Sequence, residues 1–362
     1  MSLISFARGV PAPECLPVEE LADCAKTAIA RDGRTILSYG AGGGYAPLRE
    51  WIAARHGVAP SRVMLTNGSL QGFVFLATHF FGGSKSGRVL VEAPTYDRPI
   101  KVLKELGADV VALPMDDEGL DPDALEAELK KGPKPAFVYS IPTFQNPSGR
   151  TLSAERRKRI AQIIAEHEVL YLEDDPYGLI RYTGEKVPSL FELEGGQHVA
   201  YSSSFSKTVA PGVRVGYFIF PEQVGKAVEA IAVSNYISPV MLSQATVFEF
   251  VNRGNFEPNL ERVIGLLGAR RNAMLEALET ELGGSGAVWS KPDGGYFLWL
   301  DFPAGNDCDD VLKRAEADGL TFVKGTDFFP DGRGKESARL AFSFVSVDEI
   351  HAGVKKLGSL LK

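Results

Sequence analysis

Between residues 63 and 174, short apolar segments alternate with amphipathic ones, and this alternation limits the possible folds more than any other feature. It predicts a mostly parallel sheet with helices on both faces. In open sheets of this kind, ligands bind at the carboxyl ends of the strands. We therefore expect site residues directly after strand ends. The predicted strands are 63–66, 88–92, 109–113, 136–141 and 169–174, and the predicted helices are 69–81, 97–106, 122–131 and 153–168.

After residue 220 the pattern changes to long helices followed by short strands, which predicts a second, smaller α+β domain. The N-terminal stretch is rich in turn-forming residues and is expected to be an irregular arm. We assign residues 36–245 to a large domain with the central sheet. Residues 1–35 and 246–362 are assigned to the arm and the small domain.

Net charge and side-chain chemistry narrow the function. The chain has a formal net charge of −7, which argues against binding to nucleic acid or anionic membranes, and it has no apolar span of membrane length. Cys15, Cys24 and Cys308 lack metal or redox spacing, as expected in a reducing cytoplasm. The five histidines are scattered, so no metal site is expected.

The segment YSSSFSKTVAPGVRVGY, residues 201–217, holds the central candidate. Lys207 lies on a turn between two strand-like runs, with Ser204, Ser206 and Arg214 nearby in sequence. Most lysines are solvated surface charges, but the flanks of this one are apolar or small. Two hydroxyls and a guanidinium suit a phosphate group. A lysine at such a site suggests an amine that forms a Schiff base with a phosphorylated aldehyde.

The pattern S-F-S-K-T-x-A-P-G-x-R-x-G-Y resembles the cofactor-lysine segment of class I/II aminotransferases, enzymes of fold type I that use pyridoxal 5′-phosphate (PLP). The similarity covers nearly the whole chain. It implies a PLP-transferase fold of type I, in the α/β class. It also implies that an amino group moves between an L-amino acid and a 2-oxo acid through Lys207 by a ping-pong mechanism. By family habit, glutamate and 2-oxoglutarate form one substrate pair.

Two further segments match the cofactor site of that family. Gly68, Ser69 and Leu70 open a predicted helix whose free N–H groups suit the phosphate, although an ordinary capped helix explains the same residues. A protonated ring nitrogen needs a carboxylate beside it, and either Asp174 or the adjacent Asp175 could supply one. The resemblance selects Asp174, because a tyrosine that binds the phenolate oxygen follows three positions later, here Tyr177.

The resemblance also implies the substrate-binding residues. Asn146 matches an asparagine that contacts the phenolate oxygen and the substrate carboxylate. Arg339 lies in an apolar strand, where an arginine is either paired or awaits an anion, and it matches the arginine that binds the α-carboxylate. Tyr96 matches the aromatic that stacks on the ring, with a plain core tyrosine as the alternative. Tyr39 matches a tyrosine that reaches the phosphate from a second subunit, which implies a homodimer.

The arm ISFARGVPAPECLP resembles that of the branch with 2-aminoadipate, aromatic and branched-chain aminotransferases. Arg8 stands where many members have glycine. It either neutralises an acidic substrate side chain or pairs with a surface carboxylate, and we place Arg8 and Gly9 in the substrate site.

Other functions are possible on the same fold. Some transcription regulators share this body, but no DNA-binding module precedes the arm, so we expect an enzyme. The alternatives are a PLP-dependent lyase or decarboxylase, and a non-catalytic scaffold.

Overall fold

The computed structural model describes residues 3–83 and 85–361, and within them a large sheet of eight strands dominates. Its strand order is β2-β9-β8-β7-β6-β3-β4-β5. The described strands are β1 Ile4–Ser5, β2 Val63–Thr66, β3 Arg88–Ala93, β4 Asp109–Asp116, β5 Gly119–Leu120, β6 Phe137–Ser140, β7 Tyr171–Asp174, β8 Val199–Ser204, β9 Gly216–Ile219, β10 Val288–Trp289, β11 Phe297–Asp301, β12 Leu320–Thr321, β13 Val323–Lys324 and β14 Ser337–Ala341.

The five neighbouring strands β8, β7, β6, β3 and β4 are parallel, and the strands at both edges pair antiparallel. Helices cover both faces, which confirms the predicted α/β class. The described helices are α1 Val18–Ile36, α2 Ala46–His56, α3 Ser69–Phe81, α4 Asp97–Glu105, α5 Pro122–Lys130, α6 Ala154–His167, α7 Leu190–Glu194, α8 Glu222–Tyr236, α9 Met241–Asn252, α10 Phe256–Leu282, α11 Cys308–Ala317 and α12 Val347–Leu360.

Consecutive side chains of a strand point to opposite faces of the sheet, and helices cover both faces, so the central strands are buried on both sides. In β6, for example, Val138 joins the core under one layer of helices and Tyr139 joins the core under the other. Helix ends follow local rules. The Ser153 hydroxyl accepts a hydrogen bond from the Arg156 N–H at the start of α6, and Gly57 ends α2 in the left-handed conformation.

The rest of the chain builds a second, antiparallel sheet in the order β10-β11-β14-β13, with α10, α11 and α12 around its own apolar core. The arm is less irregular than expected, because Ile4 and Ser5 pair with Leu320 and Thr321. A two-residue strand is too short to leave a sequence pattern. The predicted boundary after residue 245 falls inside α9, so the division into domains stays a prediction. No helix within residues 3–83 or 85–361 combines the length and apolar character needed to cross a membrane.

Candidate active site

A cavity of about 450 Å³ opens beyond the carboxyl ends of β6, β7 and β8. All predicted site residues except Tyr39 and Arg8 line it: Gly9, Gly68, Ser69, Leu70, Tyr96, Asn146, Asp174, Tyr177, Ser204, Ser206, Lys207, Arg214 and Arg339. A larger cavity of about 670 Å³ lies beside Trp299 and Phe329 and contains none of them. The smaller cavity is therefore the candidate active site.

Lys207 lies on the turn after β8 and points into the cavity. Its Nζ donates a hydrogen bond to the carbonyl oxygen of Gly9 at 2.7 Å. The rings of Tyr296 and Tyr177 lie 5.2 and 5.8 Å from Nζ. Burial, with a smaller contribution from the positive charge of Arg339, lowers the pKa of Lys207 to about 8. About a tenth of this amine is therefore neutral at pH 7, far more than for an ordinary lysine, and the neutral form is the one a nucleophile requires.

The start of α3, two serine hydroxyls and Arg214 form a candidate anion-binding group in the cavity wall. Gly68 precedes α3 with a φ of +88°, and the first N–H groups of that helix have no partner within the helix. The hydroxyls of Ser204 and Ser206 lie 2.9 Å apart beside it. The exposed Arg214 has a left-handed backbone, with φ of +52°, and its Nη2 bonds to the carbonyl of Asn67 at 3.1 Å. Such strain in a non-glycine residue is often found at functional sites.

The structure separates the two adjacent acids after β7. Asp175 is occupied on both oxygens, since it accepts from the Tyr201 hydroxyl at 2.9 Å and from the Gly178 N–H at 2.7 Å. Asp174 accepts from the Tyr139 hydroxyl at 2.9 Å through Oδ2 only. Its Oδ1 is buried without a hydrogen-bond partner among the described residues. Burial raises the pKa of Asp174 to about 6, so the carboxylate is mostly ionised at neutral pH.

These features fit the predicted cofactor. The unpaired Oδ1 of Asp174 is an acceptor for a protonated ring nitrogen, because a buried charged oxygen without a partner is costly. The N-terminus of α3 and Arg214 would suit the phosphate. Lys207 would present an amine to the aldehyde. The donors and acceptors of this chain therefore match the three polar parts of PLP.

Arg339 also lines the cavity and is only 8% exposed. Its Nη1 donates to Asn146 Oδ1 at 3.0 Å and its Nη2 to the carbonyl of Ala7 at 2.8 Å, while its buried Nε has no partner in the described chain. The guanidinium stacks 4.3 Å above the ring of Phe297. Burial lowers its pKa to about 10, so it keeps its charge at neutral pH. An unpaired N–H on a buried cation suits a carboxylate.

Of the remaining predicted residues, some line the cavity and others lie outside it. Tyr177 is buried in the cavity wall, and Tyr96 both lines the cavity and packs against the core under the sheet. Tyr39 is 81% exposed and lies outside the cavity. Arg8 also lies outside the cavity, and its guanidinium stacks 4.7 Å above the Phe344 ring, whereas the adjacent Gly9 lines the cavity.

The sequence pattern does not predict several residues that shape the site. Tyr139 donates to Asp174, and the Tyr296 hydroxyl donates to the carbonyl of Lys207 at 3.0 Å. Gly216 lets β9 approach the start of α3, since a Cβ there would lie 2.4 Å from the Ser69 nitrogen. Its position two residues after Arg214 is a usable signal. Tyr139 and Tyr296 have no comparable sequence signal, because tyrosine is common in buried strands.

Known proteins resemble the chain along nearly its whole length. The model of the family "Aminotransferase class I and II" matches residues 4–334. Aromatic-amino-acid aminotransferase 1 of Thermococcus litoralis is 35% identical over 99% of this chain and 88% of the relative. The 2-aminoadipate transaminase of Thermus thermophilus is 37% identical over 99% of this chain and 90% of the relative. A solved α-aminoadipate aminotransferase of Thermus thermophilus, complexed with N-(5′-phosphopyridoxyl)-L-leucine, has a TM-score of 0.94 and 35% identity, covering 99% of this chain and 92% of that one.

Proposed function

The chain belongs to the class I and II aminotransferases, and we propose that it works by a ping-pong mechanism with glutamate and 2-oxoglutarate as one substrate pair. It is a PLP-dependent aminotransferase of fold type I. One observation carries the proposal. A single cavity holds the amine of Lys207, the unpaired Oδ1 of Asp174 and the unpaired Nε of Arg339.

In this proposal the chain holds the cofactor at three points. Asp174 Oδ1 would accept from the ring nitrogen, the start of α3 with Arg214 would bind the phosphate, and Lys207 Nζ would hold the aldehyde carbon. When bound, PLP supplies the aldehyde that captures amines and a protonated ring that withdraws electrons from the substrate Cα. The ionised state of Asp174 matters because only a carboxylate keeps that ring protonated.

Arg339 orients the substrate. Its guanidinium is held by the Asn146 amide oxygen and stacked on Phe297, so it presents its N–H groups in one direction to the α-carboxylate. This contact places the Cα–H bond near Lys207. With PLP bound, the Lys207 Nζ in its neutral form would take the Cα proton and later return it, a general acid–base role that its lowered pKa favours.

The test is a single turnover with PLP-loaded protein. Adding L-glutamate alone should release one 2-oxoglutarate per site and no ammonia. Adding a different 2-oxo acid should then yield its amino acid and restore the starting absorbance. Ammonia and pyruvate formed from an amino acid without an acceptor would instead identify a lyase. Transfer with other amino acids but not with glutamate would refute only the proposed pair.

We also propose a homodimer that completes the site. Leu37 and Tyr39 on one segment, and Ile237 and Val240 on another, are each more than half exposed. The two segments meet where the Gly40 N–H donates to the Ser238 hydroxyl at 3.1 Å, so these residues form an apolar surface. The Val240 N–H donates to Asn67 Oδ1 at 2.9 Å, so this surface adjoins the anion site. Sedimentation should give a dimer for the wild-type protein. Mixed dimers of Lys207→Ala and Tyr39→Ser chains should recover one complete site, and monomeric active enzyme would contradict the proposal.

A cytoplasmic location is part of the same proposal. Cys15, Cys24 and Cys308 are buried free thiols, which suits a reducing compartment.

A further inference from the structure

Tyr139 lies behind Asp174 and not in the cavity wall. Tyr139 is opposite Leu172 in the parallel pairing of β6 with β7. Asp174 follows Leu172 by two residues, so its side chain lies on the same face of the sheet as Tyr139. A diagonal neighbour at this distance is within reach of an aromatic side chain. The pairing register therefore brings the Tyr139 hydroxyl to Asp174.

The Tyr139 hydroxyl is buried and donates a hydrogen bond to a single acceptor. The residue is fully buried, and the ring of Phe73 packs edge-on against it at 5.4 Å. Burial, reinforced by the nearby charge of Asp174, raises the pKa of Tyr139 well above its usual value, so the hydroxyl stays protonated. Within the described chain, its hydrogen bond goes to Asp174 Oδ2 alone. Tyr139 is thus a fixed donor to one oxygen of the ring-binding acid.

This bond has two consequences for Asp174. It occupies Oδ2 and fixes the plane of the carboxylate, which leaves Oδ1 as the free acceptor. Together with a smaller effect of the Ser202 hydroxyl, it also lowers the pKa of Asp174 and so opposes burial, which otherwise favours the protonated acid. A protonated Asp174 could not balance the charge of a protonated ring.

We propose that Tyr139 is a positioning residue that holds Asp174 ionised and aims its Oδ1 at the ring nitrogen of PLP. This inference rests on the proposed function, since it needs Asp174 as the partner of that nitrogen. The competing explanation is structural, namely that the hydroxyl only satisfies a buried oxygen. The two differ in whether Tyr139 affects binding to the ring nitrogen in particular.

The experiment compares the binding of PLP and 1-deaza-PLP, in which carbon replaces the ring nitrogen, to the apoprotein by fluorescence titration. Wild-type protein should bind PLP more tightly than the analogue. In Tyr139→Phe this preference should fall about tenfold, the typical effect of losing one hydrogen bond to a charged group, while affinity for the analogue stays within about twofold. The matched control is Tyr171→Phe. Tyr171 is also fully buried in the same sheet, but it faces the opposite core and makes no hydrogen bond to Asp174.

A double variant tests whether Tyr139 affects cofactor binding through Asp174. In an Asp174→Asn background, Tyr139→Phe should not reduce the preference further, because the ionised partner is already gone. Should Tyr139→Phe not fold, 3-fluorotyrosine at position 139 keeps the shape and strengthens the donor, and the preference should rise. An equal loss of affinity for both cofactors, or an unchanged preference in a folded variant, would overturn the role of Tyr139. Equal binding of both cofactors by the wild-type protein would instead overturn the role of Asp174.

Discussion

Replacing Arg339 with lysine keeps a positive charge in the cavity but removes the planar guanidinium, which can donate two parallel hydrogen bonds. In the structure Nη1 and Nη2 are held by Asn146 and the arm, and the stacking on Phe297 fixes their direction. A lysine cannot reproduce two parallel N–H bonds to a carboxylate. Losing one hydrogen bond to a charged group costs about 1.5–3 kcal/mol. We therefore expect kcat/KM for an accepted L-amino acid to fall roughly 10- to 100-fold in Arg339→Lys.

The assay follows absorbance in the first half-reaction with two substrates: that amino acid, and the amine of the same side chain without its carboxylate. Only the amino acid should lose reactivity in Arg339→Lys, because the amine has nothing for the guanidinium to bind. Arg271→Lys is the matched control. Arg271 is also a buried arginine whose Nε has no hydrogen-bond partner among the described residues, but it lies outside the cavity. A loss below threefold, or an equal loss with the amine, would refute the assignment.

Two further predictions concern the cofactor site. Burial lowers the pKa of Lys207 to about 8, so the rate at which the apoprotein captures PLP should rise with pH up to about 8 and then level off. Stopped-flow absorbance measures this rate. A rate that still rises above pH 10 would indicate a lysine with an ordinary pKa. Gly216→Ala should weaken PLP binding about tenfold, because the added Cβ would lie 2.4 Å from the Ser69 nitrogen. Gly212→Ala, where a Cβ has no neighbour within 4 Å, should bind PLP normally, and equal titration curves for the two variants would contradict this explanation.

Much of the fold could be predicted because local patterns and global structure agree. Strand β2 and helix α3 have the predicted bounds, since a short apolar run and a clear helical repeat meet at Gly68. Helix α11 is missing from the prediction, although its buried residues Cys308, Val311 and Ala315 have helical spacing.

The site was predictable to the extent that side chains carry its chemistry. Local chemistry alone leaves the choice between Asp174 and Asp175 open, because neighbouring acids look alike, and only the family resemblance selects Asp174. The structure adds the hydrogen bonds that distinguish the two acids, from Tyr201 to Asp175 and from Tyr139 to Asp174. The hydrogen bond from Lys207 to the carbonyl of Gly9 in the arm could not be predicted from the sequence either, since every residue has a backbone carbonyl.

The most direct test of the whole account is to find which lysine binds PLP. The PLP-loaded protein is reduced with borohydride, digested and mapped by mass spectrometry. We predict a single phosphopyridoxyl group, on the peptide containing Lys207, and none in Lys207→Ala. A modified lysine elsewhere, or a Lys207→Ala protein that still carries the group, would contradict the account.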